Sequence, residues 1–562
     1  MKILGIGGSD HDVASCIVEN GEIKIAIEEE RISRDKYALG TNLLLGLSRK
    51  YCLKELNLSI KDMDAIVVDD ILAETAYYPL RNKVTKISHH LAHAASVYYP
   101  SPFSEAAVLI VDNAGSLIAD ENGKQGLETI SYGIGSGLKI DFFEKITGEN
   151  WIEARLGASR KVYQRGDCDD SLGHFYKIVS GKLGFKFSEN GQFFYPEAGK
   201  TMGLAPYGDN RYYKDIKKYV DFGPKGRITM PFSDNKLAAA IDEIIENDGG
   251  GDKAFQCHAH IAKACQQILE ESLTYCCEYL YEQTKMKYLC YAGGVALNCV
   301  ANGKLKEKLP FEDIFLFPAC GDNGTAIGCA LWGTYNAKAG NIPDKKSSIV
   351  TKPYFGRSYG DDEIEQALQK FDNIAWEKVS NPARIGAQMI YEGKIIGWFQ
   401  GGCEFGPRAL GHRSILADPR NPEIKDIINS RVKFREAFRP YAPSVLRDHV
   451  TEIFERDEDS PFMLLTISVK EDKRAVVPGI THVDGTARIQ TVTDEDNGIY
   501  AELIREFYKL SSIPLLLNTS FNVKGEPIVE TPEDAVNCYL KTGMDFLIIE
   551  DYIVSKKETT KG

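Results

Sequence analysis

Three of the chain's ten histidines crowd into ISHHLAHAAS, Ile87 to Ser96. His89 and His93 stand four apart, a spacing that stacks two imidazoles on one helix face, where both can grip one metal ion. Two aspartates extend the set: Asp112 in VDNAGS and Asp322 in CGDNGTAIG. Each closes a strand-like run and is followed by small residues that let an ion or a phosphate approach the backbone. Two imidazoles and two carboxylates suit Fe²⁺, Zn²⁺ or Mn²⁺ better than Mg²⁺, which prefers an all-oxygen shell. His90, between the pair, points elsewhere and reads as a packing or surface residue.

The glycine-rich stretches GIGGSDHD, DNAGS, GKTMGLAPYG, AGGVALN and GDNGTAIG are neither a P-loop nor a dinucleotide fingerprint. Five of them, mostly at strand ends, suggest a nucleotide held by backbone amides. Asn298 and Asn302, four apart on an expected helix, are placed to hydrogen-bond a nucleoside or acyl group, or to cap the helix. A third constellation comes later. FGPRALGHRSILADPR and NSRVKFREAFRPYAPS hold Arg408, Arg413, Arg420, Arg431, Lys433, Arg435 and Arg439, interleaved with Phe405, Phe434, Phe438 and Tyr441. Cations in apolar surroundings need an anionic partner. The patch therefore reads as a pocket for a phosphate-bearing small molecule, with Arg488, Asn518, Ser520 and Asn522 as strand-end donors.

The elements that must position these groups are those of an α/β protein. KILGIGGS runs as a strand into a glycine turn, and ASCIVENGEIKIAIEEE gives a hairpin about Asn20-Gly21. DAIVVDD and AAVLIVDNAGS are buried strands ending in acidic or small residues. Residues 236–285 are helical, and KYLCYAGGVALN with DIFLFPACGDNG repeats the strand-and-glycine theme, which suggests two related lobes across a cleft. A polar, Pro/Gly-bearing stretch from Ala337 to about Ser358 marks a boundary. Beyond it, KIIGWFQG, FMLLTISV, IPLLLNTS and DFLIIEDYIV supply strands for a further domain. At 562 residues one hydrophobic core does not suffice. The net charge of −13 argues against nucleic acid as a partner. No apolar run approaches a membrane span and the N-terminus is not a signal peptide. Thirteen scattered cysteines without a CxxC pair fit a reduced, cytoplasmic setting.

Taken together, SHHLAHAAS, VDNAGS, GKTMGLAPYG, GGVALN, FGPRALGHRSILADPR, VKFREAFRPYAPS and LNTSFNVKGEPIV resemble the O-carbamoyltransferase family of tobramycin, cephamycin-type and nodulation-factor carbamoyltransferases. The resemblance implies an actin-like domain (ASKHA, two-lobed and ribonuclease-H-like) over residues 1–350 and a YrdC-like α/β domain over 351–562. It implies that carbamoyl phosphate and ATP, with Mg²⁺, form carbamoyl adenylate in the second domain. In the first, a hydroxyl of a sugar, antibiotic or other natural product takes the carbamoyl group and AMP leaves. Carried over by position, the metal ligands are His89, His93, Asp112 and Asp322, with Fe²⁺ the foremost ion. Adenylate contacts fall on Asp112, Gly203, Asn298 and Asn302. Carbamoyl phosphate and ATP contacts fall on Arg408, Lys433, Arg439, Arg488 and Asn518, joined by Arg435, Ser520 and Asn522 through KFR and SFN. The family's HDAS motif reads HDVAS here, placing the catalytic histidine on His11, beside Asp12. Ser9 and Lys36 would touch nucleotide or acceptor. The stretch 125–200, with Trp151, Phe193, Phe194 and Tyr195 among acids, is expected to border the acceptor entrance, and a homodimer is compatible with the whole. Two rival readings differ in class: the same fold carbamoylating a nitrogen or thiol, and a non-catalytic nucleotide-binding scaffold, which would bind nucleotide without turnover.

Overall fold

The computed structural model describes residues 1–9, 11–38, 44–119, 123–149, 152–155, 161–164, 168–189, 193–232, 235–336 and 342–557. The first sheet collects β1 (Lys2–Gly7), β2 (Ala14–Glu19), β3 (Glu22–Glu28), β4 (Ala65–Asp69) and β5 (Val84–Ile87) in the order β3-β2-β1-β4-β5. β1 to β3 form an antiparallel meander, whereas β4 and β5 are added parallel. The turn between β2 and β3 is the expected Asn20-Gly21 pair, both with positive φ (52° and 90°), as a tight two-residue hairpin requires.

The second sheet is built from β6 (Glu105–Val111), β7 (Leu117–Ala119), β8 (Gln125–Ser136) and β9 (Lys139–Gly148), then β16 (Tyr288–Ala292) and β17 (Asp313–Phe315). Between β9 and β16 lie three small hairpins: β10 (Ile152–Arg155) with β11 (Lys161–Gln164), β12 (Lys186–Glu189) with β13 (Phe193–Pro196), and β14 (Asp221–Phe222) with β15 (Ile228–Thr229). Discounting the short β7, the second sheet runs β9-β8-β6-β16-β17, again three antiparallel strands and two added parallel. The chain thus repeats one sheet topology, giving the two related lobes expected from the strand-and-glycine theme in the actin-like arrangement that the family resemblance implies.

Helices His89–Tyr98 and Thr325–Asn336 lie against each other between the sheets. The second covers β1, β2 and β4, and the first covers β6 and β16. Their crossing is closer than side chains allow. A Cβ on Gly328 would stand 1.8 Å from Ala92 O, so only glycine fits. Gly328→Ala is expected to cost about 1–3 kcal/mol through forced separation. Gly181→Ala, in helix Leu172–Lys182 with open space around it, should gain roughly 0.5–1 kcal/mol. Urea midpoints of the two variants, moving in opposite directions, check the assignment.

A nine-stranded sheet occupies residues 374–556, comprising β18 (Ile374–Lys378), β19 (Ile396–Phe399), β20 (Arg413–Ala417), β21 (Ala442–Leu446), β22 (Leu465–Ser468), β23 (Thr486–Val492), β24 (Leu515–Ser520), β25 (Phe546–Ile549) and β26 (Tyr552–Lys556). Its order is β18-β26-β25-β19-β20-β24-β21-β23-β22, mostly antiparallel, over its own apolar core. DFLIIEDYIV, which reads as one apolar run, divides into β25 and β26 at Glu550, whose φ is 48°. This sheet is fastened to the lobes by buried polar contacts. Arg31 Nη2 donates to Gly406 O (2.7 Å), Gly406 N donates to Glu28 Oε1 (2.7 Å), and Asn302 Nδ2 donates to Leu464 O (3.1 Å). No helix among the described residues is long and apolar enough to cross a membrane.

Candidate metal centre and anion pocket

The first turns of helix His89–Tyr98, the end of β6 and the turn Asp322–Gly324 converge on one point. There His89, His93, Asp112 and Asp322, all buried, place one ligand atom each within 4.8 Å of the others. His89 Nε2 stands 3.1 Å from His93 Nε2, 3.1 Å from Asp112 Oδ2 and 3.6 Å from Asp322 Oδ1. His93 Nε2 is 3.8 Å from Asp322 Oδ1 and 4.0 Å from Asp112 Oδ2. Two carboxylates this close, without solvent, demand a positive charge between them. Burial opposes a charged His89, yet Asp69, Asp112 and Asp322 outweigh it and raise the imidazole far above its usual range. Burial likewise works against ionised Asp322, but His89 and His93, with a contribution from His11, hold its carboxyl well down. A divalent cation answers the same demand with better geometry, and the nitrogen and oxygen donors fit a borderline ion. Asp112 does double duty: its Oδ1 accepts from Gly294 N (3.0 Å), at the opening of GGVALN.

Asp69 was not singled out by sequence, although it ends the strand in DAIVVDD. Its Oδ2 accepts from His89 Nδ1 at 2.6 Å, both groups fully buried. His90 turns away as expected. It is buried, its Nδ1 pairs with Ser131 Oγ (2.7 Å), and burial pushes it down to about 4.

The loop after β1 carries Ser9, His11 and Asp12. Gly8 N donates to Thr325 Oγ1 (2.8 Å), which anchors the loop on the helix that follows Asp322. His11 Nδ1 lies 3.0 Å from Asp12 Oδ2, and Asp12 N donates to Tyr37 O (3.0 Å). That bond ties the loop to the turn that bears Lys36, whose ammonium lies 5.2 Å from the Tyr37 ring centre. Ser9 Oγ is buried with no partner among the described residues.

In the C-terminal sheet the run of cations separates into two groups. Arg413 is a core residue, donating to Gln400 O (2.8 Å) and Gly401 O (3.0 Å) and stacked 3.4 Å from the Phe399 ring. Arg420 pairs with Asp418 (2.6 Å), and the exposed Arg431 donates to Gly543 O (3.1 Å). All three guanidinium groups donate to nearby protein oxygens, although the Nε of Arg413 has no partner among the described residues. Arg408, Arg439 and Arg488, all half-buried, remain close enough to repel one another. The Nε atoms of Arg408 and Arg488 are buried without a partner among the described residues. Burial, then Arg488 and Arg439, push Arg408 down to about 9. Burial and Arg439 similarly push Arg435 down to about 10. Guanidinium groups do not release their proton at ordinary pH, and buried like charges are relieved by an anion. Arg435 stacks on Tyr441 (4.5 Å) and donates to Asn429 Oδ1 (2.9 Å).

Lys433, within electrostatic reach of Arg435 and Arg439, is bonded to Ser520 and Asn522. The buried ammonium donates to Ser520 O, to Asn522 Oδ1 (2.7 Å) and to Asn522 O (2.9 Å), which locks the turn after β24. Asn518 Nδ2 donates to Ala409 O (3.0 Å) and Ser444 Oγ (2.9 Å), while its Oδ1 is buried and unpartnered among the described residues.

Gly203, Asn298 and Asn302 line the seam between the lobes and this sheet. Gly203 O accepts from His482 Nε2 (3.1 Å), and a Cβ there would reach Pro440, next to Arg439, at 3.4 Å. Asn298 caps helix Cys299–Lys308 through Ala301 N (3.0 Å) and exchanges two hydrogen bonds with Gln266. A cavity of about 220 Å³ opens along the same seam, walled by Met202, Gln266, Val300, Gly303, Arg456 and Thr466. Trp151 lies outside the described residues, and of Phe193, Phe194 and Tyr195 only the backbone, in β13, is described.

Family models match in two blocks: carbamoyltransferase N-terminus over residues 75–331 and carbamoyltransferase C-terminus over 387–556. The nodulation protein NolNO of Sinorhizobium fredii is 33% identical over 97% of this chain and 79% of its own length. The chain belongs to the carbamoyltransferase family. The His/Asp centre lies within the N-terminal block, and Arg408, Arg439 and Arg488 within the C-terminal block. An uncharacterised Synechocystis protein, sll1178, is 34% identical over 99% of this chain and 96% of its own length. Among solved structures, HypF of T. kodakarensis aligns with a TM-score of 0.40 at 16% identity, covering 62% of this chain and 49% of that one. This carbamoyltransferase thus gathers two charge clusters of opposite sign, the His/Asp set that could hold a metal ion and the arginines of the C-terminal block.

Proposed function

We propose that this carbamoyltransferase is ATP-dependent and acts on a hydroxyl group through carbamoyl adenylate. The observation that carries the reading is the cluster of Arg408, Arg439 and Arg488, cations held together with no neutralising carboxylate among the described residues, on the seam that leads to Gly203, Asn298 and Asn302. Such a cluster recruits a polyanion, and carbamoyl phosphate with the triphosphate of ATP supplies one. Residues 351–562 perform activation in this reading, and residues 1–350 perform transfer. One water cleaves carbamoyl phosphate to carbamate and phosphate. A carbamate oxygen then displaces pyrophosphate from the α-phosphorus of ATP. The arginines offset charge on the departing pyrophosphate, and the closed seam keeps the mixed anhydride from water.

In the second step an acceptor hydroxyl attacks the carbamoyl carbon and AMP leaves. His11 takes the hydroxyl proton, oriented by Asp12. Ser9 and Lys36 stand on the same loop system to contact nucleotide or acceptor. His89, His93, Asp112 and Asp322 would hold the metal, with Fe²⁺ favoured over Zn²⁺ or Mn²⁺. When bound, that ion supplies electrophilic polarisation and a fixed charge for the adenylate. Asn298 and Asn302 orient the nucleoside on the seam.

The test is ATP and carbonyl-labelled carbamoyl phosphate with Mg²⁺ and no acceptor. Pyrophosphate release with formation of labelled adenylate supports the reading. Nucleotide binding without turnover favours a scaffold and sinks it.

A further inference from the structure

His89 meets a carboxylate at each ring nitrogen. Nε2 faces Asp112 and Asp322, and Nδ1 faces Asp69. An imidazole can offer a lone pair to a metal at Nε2 only if its proton sits on Nδ1, and the group that receives that proton's hydrogen bond fixes both tautomer and ring plane. Asp69 is that group. It closes β4, is fully buried, and accepts at 2.6 Å. The next residue serves the same histidine from the other side. Asp70 Oδ1 accepts from Ser116 Oγ (2.6 Å), and Ser116 Oγ accepts from His89 N (2.8 Å). Consecutive strand residues point to opposite faces, so the end of β4 holds both the ring and the main chain of His89.

His93 has no such support. Its Nδ1 is buried and unpartnered among the described residues, and its ring stands edge-on to that of His89, 83° between planes and 4.5 Å between centres. The two imidazoles are therefore unequal: one is held before a metal arrives, and the other settles against it. Asp69 also adds a third carboxylate to Asp112 and Asp322 around a single cation.

We infer that Asp69 is a positioning residue of the metal centre, which holds His89 as the pre-oriented ligand and raises the affinity of the whole set for a divalent ion. The inference rests on the metal-centre reading above. Removing an outer partner of a metal-bound histidine weakens metal affinity about 10–100-fold. Zn²⁺ and Mn²⁺ would be titrated into chelator-stripped protein against a chromophoric chelator, for wild type, Asp69→Asn and Asp69→Ala, and Co²⁺ absorption bands would report ligand geometry. Asp69→Asn keeps shape and loses charge, and is expected to weaken binding about tenfold. Asp69→Ala also frees the ring, and is expected to approach a hundredfold loss with altered Co²⁺ bands. Stabilisation by inorganic phosphate, which reads the arginine cluster, should be retained and shows that the fold is intact. If Asp69→Ala does not fold, the isosteric Asp69→Asn decides. Wild-type affinity and Co²⁺ bands in the folded variants would overturn the inference alone. A wild type that binds no divalent ion would overturn it together with the metal-centre reading.

Discussion

Arg408→Met should abolish pyrophosphate release and, at the same time, make the ligand-free protein more stable. The two effects share a cause. Arg408 is partly surrounded by Arg439 and Arg488, and no hydrogen-bond partner satisfies its Nε among the described residues. Holding half-buried like charges together costs free energy that an anionic ligand returns. An apolar side chain of similar length removes the repulsion and is expected to raise the unfolding free energy by about 1–3 kcal/mol. Catalysis loses a donor aimed at developing phosphate charge, a loss of about 10²–10³-fold or more. Lys433→Met, in the same run of cations, should behave in the opposite sense. Its ammonium is matched by oxygens of Ser520 and Asn522, and removing it strands buried acceptors. The expected cost is about 2–4 kcal/mol. Chemical unfolding with and without inorganic phosphate separates the cases. The wild type gains stability with phosphate, Arg408→Met starts higher and gains little, and Lys433→Met starts lower. If Arg408→Met were destabilised without phosphate, the description of the cluster as unneutralised would be wrong.

That contrast shows where sequence stops being informative. A run of arginines among aromatics announces an anion pocket, but which cations are spent on the fold depends on partners far along the chain. Lys433 meets Ser520 and Asn522 nearly ninety positions later, and Arg413 turns back to Gln400 and Gly401. Local patterns fared better. The Asn20-Gly21 hairpin and the His89/His93 pair follow from turn chemistry and helix periodicity, which act within a few residues. The lobe repeat was faint as residues and plain as topology, since strand order can persist when side chains do not. Asp69 was hidden because its role exists only once β4 is laid beside the start of helix His89–Tyr98. The one available signal was a pair of acids ending an apolar strand, where a carboxylate delivered into a dry interior needs a partner.

His11→Ala is expected to leave pyrophosphate release near the wild-type rate while slowing carbamoyl transfer about 10²–10⁴-fold. The separation follows from placement. His11 belongs to the loop after β1, fixed by Gly8 on Thr325, which follows the turn bearing Asp322. The arginines belong to the C-terminal block, residues 387–556. The contact between His11 Nδ1 and Asp12 Oδ2 favours the tautomer whose Nε2 is basic, as a general base for an alcohol requires. Asp12→Asn should therefore show an intermediate loss in transfer with activation intact, because the base survives and its orientation weakens. With an alcohol that the wild type carbamoylates, labelled adenylate should accumulate in His11→Ala and persist, whereas the wild type converts it to product and AMP. If His11→Ala lost pyrophosphate release as well, His11 would belong to activation, and the division of labour between residues 1–350 and 351–562 would fail.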